Sequence, residues 1–84
     1  MRSWYTENLK NKGIIPYVIG DTVTADSRVV ASISEVDSNG KPFIGAASLW
    51  VNSVAPNDNG EVWVEVNIQW DRPILFRITC FVDP

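Results

Sequence analysis

The clearest pattern in the chain is a strict alternation of apolar and polar residues in its last third. Between Glu61 and Asp71 the even positions are apolar and most odd positions are polar, and from Ile74 to Val82 the even positions are apolar again. A period of two is typical of a strand with one face on a core and the other toward solvent. Two strands are therefore predicted, joined by a turn at residues 71–73, where a proline cannot donate to a ladder.

The same period extends upstream, from Thr22 to about residue 34 and less cleanly from Phe43 to Val54. Between them, Asp37-Ser38-Asn39-Gly40 is a strong turn signal. A three-residue loop with Gly40 in the left-handed conformation keeps the apolar side chains of both strands on one face, whereas a two-residue loop mixes the faces. A three-residue loop after Trp70 would likewise pair Trp70 with Ile74 and make Trp70 a core residue.

The N-terminal segment carries helix signals instead. Ser3 is a candidate N-cap, Tyr5 and Leu9 share one helical face, and Gly13 is a natural stop. Trp4 would then pin this helix to the sheet.

The expected fold is mainly β: a single domain over residues 1–84, with a helical segment at 1–13 and an antiparallel sheet at 14–84. The sheet is expected to be a four- to five-stranded meander that curls into a small sandwich or barrel, or whose apolar face is closed by another chain.

Composition narrows the candidate chemistry. The chain has no histidine and one cysteine, so the commonest acid–base residue is missing and no disulfide forms within the chain. We expect no enzyme activity, catalytic residue, metal site or cofactor. The net charge is −3 and no basic run occurs, which argues against nucleic acid. The start lacks the apolar core of a signal peptide and no stretch suits a bilayer, which favours a cytoplasmic protein without membrane contact.

The predicted registers also define an outer face that is rich in aromatic residues. They set Trp63 opposite Phe81, Asn67 opposite Arg77, and Glu65 diagonal to Arg77. The predicted binding residues are three apolar anchors and three polar groups around them: Trp63, Phe81, Trp50, Arg77, Glu65 and Asn67.

Aromatic and arginine side chains of this kind anchor protein interfaces. The expected function is a non-enzymatic binding or self-assembly module that contacts a protein or another copy of itself. Two alternatives remain open: a lectin-like domain that stacks sugars on the indoles, and a structural subunit of a larger homo-oligomer. It also remains open that Trp63 and Phe81 form an ordinary cross-strand pair, partly covered by the N-terminal segment.

Overall fold

A computed structural model describes residues Met1–Pro84. The chain forms a sandwich of two antiparallel sheets. Its mainly β character is confirmed. The seven strands are β1 (Arg2–Tyr5), β2 (Leu9–Asn11), β3 (Gly13–Gly20), β4 (Arg28–Glu35), β5 (Ser48–Pro56), β6 (Glu61–Gln69) and β7 (Ile74–Asp83). The structure contains no helix that is long and apolar enough to cross a membrane.

Each sheet is built around one of the two regularly alternating strands. In the β7 sheet, β7 pairs with β4 on one side and with β1 and β2 on the other. In the β6 sheet, β6 lies between β3 and β5. The expected meander is therefore wrong in its pairing: β6 and β7 follow each other in the chain but belong to different sheets. Ile74 pairs with Asn11 and not with Trp70.

The core lies between β6 and β7 and explains this arrangement. Nine of the eleven buried residues are the inward side chains of these two strands: Val62, Val64, Val66, Ile68, Ile74, Phe76, Ile78, Cys80 and Val82. A hairpin would place both apolar faces on the same side of one sheet, where another element would still have to bury them. Stacking the strands in two layers lets each face bury the other.

The N-terminal helix prediction is wrong, because residues 2–11 form β1 and β2 along one side of β7. Between β1 and β2, Thr6 continues the hydrogen bonding to β7. Its backbone N–H donates to the Ile78 carbonyl at 2.9 Å, and its Oγ1 accepts from the Ile78 N–H at 3.1 Å. A helix of about ten residues is marginal by itself and would leave these β7 groups without partners. Trp4 and Leu9 pack on the core from these strands.

The loop at Gly40 has the predicted geometry, and the loop at Gly60 has the same form. Gly40 and Gly60 adopt φ values of 75° and 72°. Each closes a three-residue loop, in which Asp37 N–H donates to Lys41 O at 2.9 Å and Asn57 N–H donates to Glu61 O at 2.9 Å. After the first loop the ladder continues only to the bridge between Val36 and Pro42. β5 then begins at Ser48, and residues 43–47 form a strap between the two sheets.

Gly60→Ala should lower the free energy of unfolding by about 1–2 kcal/mol, because a left-handed backbone brings the alanine Cβ too close to the carbonyl oxygen that follows it. The added Cβ would also lie 3.1 Å from the Asp21 carbonyl oxygen. Gly20→Ala is the matched control, since Gly20 does not have a positive φ and no atom lies within 4 Å of the added carbon. Urea unfolding of both variants measures the difference, and equal effects would contradict this reading of the loop.

Candidate functional site

The structure divides the six predicted binding residues between opposite sides of the sandwich. Trp50, Trp63, Glu65 and Asn67 point outward from the β6 sheet, whereas Arg77 and Phe81 point outward from the β7 sheet. The predicted pairs of Trp63 with Phe81, Asn67 with Arg77 and Glu65 with Arg77 are therefore wrong, because the whole core separates their members. Two separate surfaces result: the β6-sheet face and the β7-sheet face.

The β6-sheet face is organised in three cross-strand rows. Trp63 lies between Val18 and Ala55, Glu65 lies between Pro16 and Ser53, and Asn67 lies between Ile14 and Trp50. In each row the β3 side chain is apolar, so this edge of the face is a continuous apolar band beside the Trp63 indole.

That apolar band is exposed. The exposed fraction is 63% for Ile14, 46% for Val18 and 45% for Trp63, and Pro16 is also exposed. Sequence reasoning missed the contribution of β3, because residues 14–19 lack the alternation of apolar and polar positions by which the other strands were predicted. The signal was present, since residues 14–19 are apolar at every position and a strand with that pattern has two apolar faces.

The other half of the face is polar and is fixed by a bulge in β5. The ladder shifts register between Val51 and Ser53, which leaves Asn52 as the extra residue. Trp50 Nε1 donates to Asn52 Oδ1 at 2.7 Å, and Asn52 Nδ2 donates to Glu65 Oε1 at 3.2 Å. This chain of bonds orients the Trp50 indole and one carboxylate oxygen, although all three residues lie on the surface.

A shallow groove of about 380 Å³ runs between the two halves of the face. It is lined by Pro16, Ser53, Ala55, Trp63 and Glu65. The small side chains of Ser53 and Ala55 lie beside the large indole, and this difference in height forms the depression. Its size and mixed lining suit an inserted side chain of a partner better than a whole enclosed ligand.

The β7-sheet face is different in character. The Arg77 guanidinium carbon lies 4.5 Å from the centroid of the Tyr5 ring, a cation–π contact that holds both side chains. Phe81 is 45% exposed and lies between Ser3 and Val30, which is 68% exposed. Arg77 is therefore engaged within its own face and is not part of a polar rim around Trp63.

The remaining two tryptophans have contrasting surroundings. Trp70 follows the end of β6 and is 41% exposed, so its predicted place in the core is wrong. Trp4 packs inward from β1, and its Nε1 donates to Asp21 Oδ2 at 2.8 Å. This bond joins β1 to the loop after β3, whereas Trp4 was predicted to hold a helix against the sheet.

The Asp21 carboxylate is held by three hydrogen bonds. Its Oδ1 accepts from Arg2 at 2.9 Å and from the Thr22 backbone N–H at 2.6 Å, in addition to the Trp4 bond at Oδ2. Burial acts to raise the pKa of this carboxyl group, but the bonds from Trp4, Thr22 and Arg2 together outweigh burial and hold the pKa below its ordinary value. The cluster joins two segments of the chain, β1 and the loop after β3, and is structural in character.

Neither surface brings together the groups of a reactive centre. The Cys80 thiol is fully buried, and burial, with a smaller effect from the Asp21 charge, raises its pKa to about 11. Comparison of the chain with family models, curated proteins and solved structures returned no match. The geometry of the two surfaces is therefore the feature of the molecule that bears on its function.

Proposed function

We propose that this protein is a non-enzymatic binding module that docks the apolar surface of a partner protein on its β6-sheet face. The observation that carries the proposal is the unbroken exposed band of Ile14, Pro16 and Val18 alongside Trp63. Exposed apolar side chains scattered singly need no explanation, but a contiguous patch with a polar rim is typical of an interaction site. Tryptophan is also among the residues most enriched at interface hot spots.

The immediate surroundings of Trp63 favour a protein over a sugar. A sugar stacked on an indole needs free polar groups around the ring to bond its hydroxyls, whereas the cross-strand neighbours of Trp63 are Val18 and Ala55. The amide of Asn52, on the polar half of the face, is already bonded to Trp50 and Glu65. Apolar contact around a central tryptophan, with water excluded by its neighbours, is the arrangement of a protein interface.

The partner is expected to contact side chains on the face and not to add a strand at the β3 edge. The Asp21 N–H bonds to the Gly60 carbonyl, which sets the odd residues of β3 toward β6 and the even residues toward the open edge. Pro16 is one of these even residues and has no N–H to offer. A proline at this position is a common protection of an open edge against strand addition.

Trp63→Ala tests the proposal and should weaken partner binding by about 2 kcal/mol, which is roughly 30-fold in Kd. A photo-reactive amino acid at Ser53, in the groove, should form a covalent product with one protein in extract of the producing cell. The product should disappear in the Trp63→Ala background. The same photo-reactive residue at Ser32, on the β7-sheet face, is the matched control and should not capture that protein.

Stability and sugar measurements complete this test. Because Trp63 is 45% exposed, Trp63→Ala should lower the free energy of unfolding by less than about 1 kcal/mol. Unfolding of that variant, or undiminished capture through Ser53, would contradict the proposal. A tryptophan fluorescence change on titration with one member of a glycan panel, absent in Trp63→Ala, would decide for the carbohydrate alternative.

A further inference from the structure

Open strand edges invite pairing with other chains, and in this sandwich all but one of them are interrupted. β3 carries Pro16, β5 carries the bulge at Asn52 and ends on Pro56, and the edge opposite β4 is broken between β1 and β2. β4 is the exception: Arg28–Glu35 is continuous and contains no proline, glycine or bulge. β5 lies alongside β4, but its ladder runs to β6.

The hydrogen bonds at the end of β4 show which backbone groups face this edge. Val36 N–H donates to Leu75 O at 3.0 Å, so the even residues of β4 are directed toward β7 and the odd residues away from it. Phe43 N–H donates to the Glu35 carbonyl at 3.1 Å, as expected if the odd residues of β4 face away from β7. This bond occupies the C-terminal end of the β4 edge. The N–H and C=O groups of Val29, Ala31 and Ile33 have no hydrogen-bond partner within the chain.

We infer that β4 pairs antiparallel with β4 of a second copy, with the two-fold axis at Ala31, so that the β7 sheets of two copies become continuous. In this register Ala31 pairs with Ala31 of the second copy, and Val29 pairs with Ile33 of the second copy. Each of these pairs exchanges two hydrogen bonds. Every free group of these three residues is then satisfied, and the strap contact at Glu35 leaves little room for a shift toward the C-terminal end.

The side chains of β4 suit this self-pairing. The only charged residues of the strand, Arg28 and Glu35, lie at its opposite ends, so the middle of the strand carries no charge. In this register Arg28 lies opposite Ser34 of the second copy, so antiparallel pairing sets no like charges side by side, whereas in-register parallel pairing would place Arg28 beside Arg28. On the outer side, Val30 lies opposite Ser32 of the second copy and diagonal to its Val30, which covers part of a side chain that is 68% exposed in the single chain.

The β4 edge is a different surface from the β6-sheet face, and matched variants separate the roles of the two surfaces. Sedimentation velocity over a range of concentrations should show the wild type in a monomer–dimer equilibrium. Val30→Lys should raise the dimer Kd at least 10-fold, since the two ammonium groups would lie close together across the paired β4 strands and repel each other. Val18→Lys, an exposed valine on the β6-sheet face, should leave the dimer unchanged and should instead reduce capture of the partner through Ser53.

A disulfide experiment tests the register. Residues 30 and 32 of opposite copies form a close pair, with Cα atoms about 4.5 Å apart, within the range for a disulfide. A mixture of the Val30→Cys and Ser32→Cys variants should therefore cross-link under mild oxidation, at least 10-fold more than either variant alone. Cys80 should not compete, because its thiol is buried with a pKa of about 11.

Three outcomes would overturn the inference. The first is a wild type that stays monomeric at every concentration. The second is a mixture that cross-links no better than its separate components. The third is a dimer abolished by Val18→Lys and kept by Val30→Lys, which would place self-association on the β6-sheet face.

Discussion

Phe76→Ala should lower the free energy of unfolding by about 4 kcal/mol, because it truncates the largest fully buried side chain of the core. Phe76 is fully buried near the middle of β7, and its ring meets the edge of Tyr17 at a centroid distance of 5.9 Å. The alanine would leave a cavity between the two sheets. Domains of this size are stable by only about 5–10 kcal/mol, so a large part of the stability would be lost.

The same strand supplies the control for this prediction. Phe81 is also a phenylalanine of β7, but it points outward and is 45% exposed. Phe81→Ala should therefore cost less than about 1 kcal/mol. Urea unfolding, followed by tryptophan fluorescence and circular dichroism, compares the two variants. Similar losses would mean that the outer side of β7 is as deeply covered as its inner side, and the sandwich arrangement would be wrong.

Asp21→Ala should lower the free energy of unfolding by about 2–3 kcal/mol, because it removes three hydrogen bonds to a largely buried carboxylate and leaves the Trp4 indole N–H without its partner. For a domain of this size the melting temperature should fall by roughly 10–20 °C. The ion pair of Arg72 with Asp71 is the control, since both side chains are more than 70% exposed. Asp71→Ala should therefore change stability by less than about 0.5 kcal/mol.

The effect of Asp21 should also depend on pH in one direction. Its pKa in the folded protein lies below the ordinary value of 3.8, so folding favours the ionised form. Its stabilising contribution is therefore complete above about pH 5 and decreases as the pH falls below 3.8 through the folded-state pKa. The stability difference between wild type and Asp21→Asn should be constant at neutral pH and shrink in acid. A difference that grows on acidification would contradict the direction of the shift.

The candidate site illustrates how far sequence reasoning reaches. Alternation in β6 correctly placed Trp63, Glu65 and Asn67 on an outward face, since only one register buries the valines between them. The polar link from Trp50 to Glu65 was out of reach, because it depends on the bulge that brings Asn52 onto the surface. The contribution of Ile14, Pro16 and Val18 required knowing that β3 pairs with β6.

What the sequence by itself determined is local. A period of two decides which side chains share one face of a strand, and glycine is the residue that best tolerates the left-handed backbone of the loops at Gly40 and Gly60. Neither property decides whether two strands lie side by side or face to face.

The tertiary structure decided that question by burying the apolar faces of β6 and β7 against each other, which placed Trp63 and Phe81 on opposite sides of the molecule. It also made strands of the N-terminal residues. As strands they supply hydrogen-bond partners to the backbone groups along one side of β7, and this outweighs their weak local preference for a helix. Both outcomes depend on contacts between residues distant in the chain, and no local pattern encodes them.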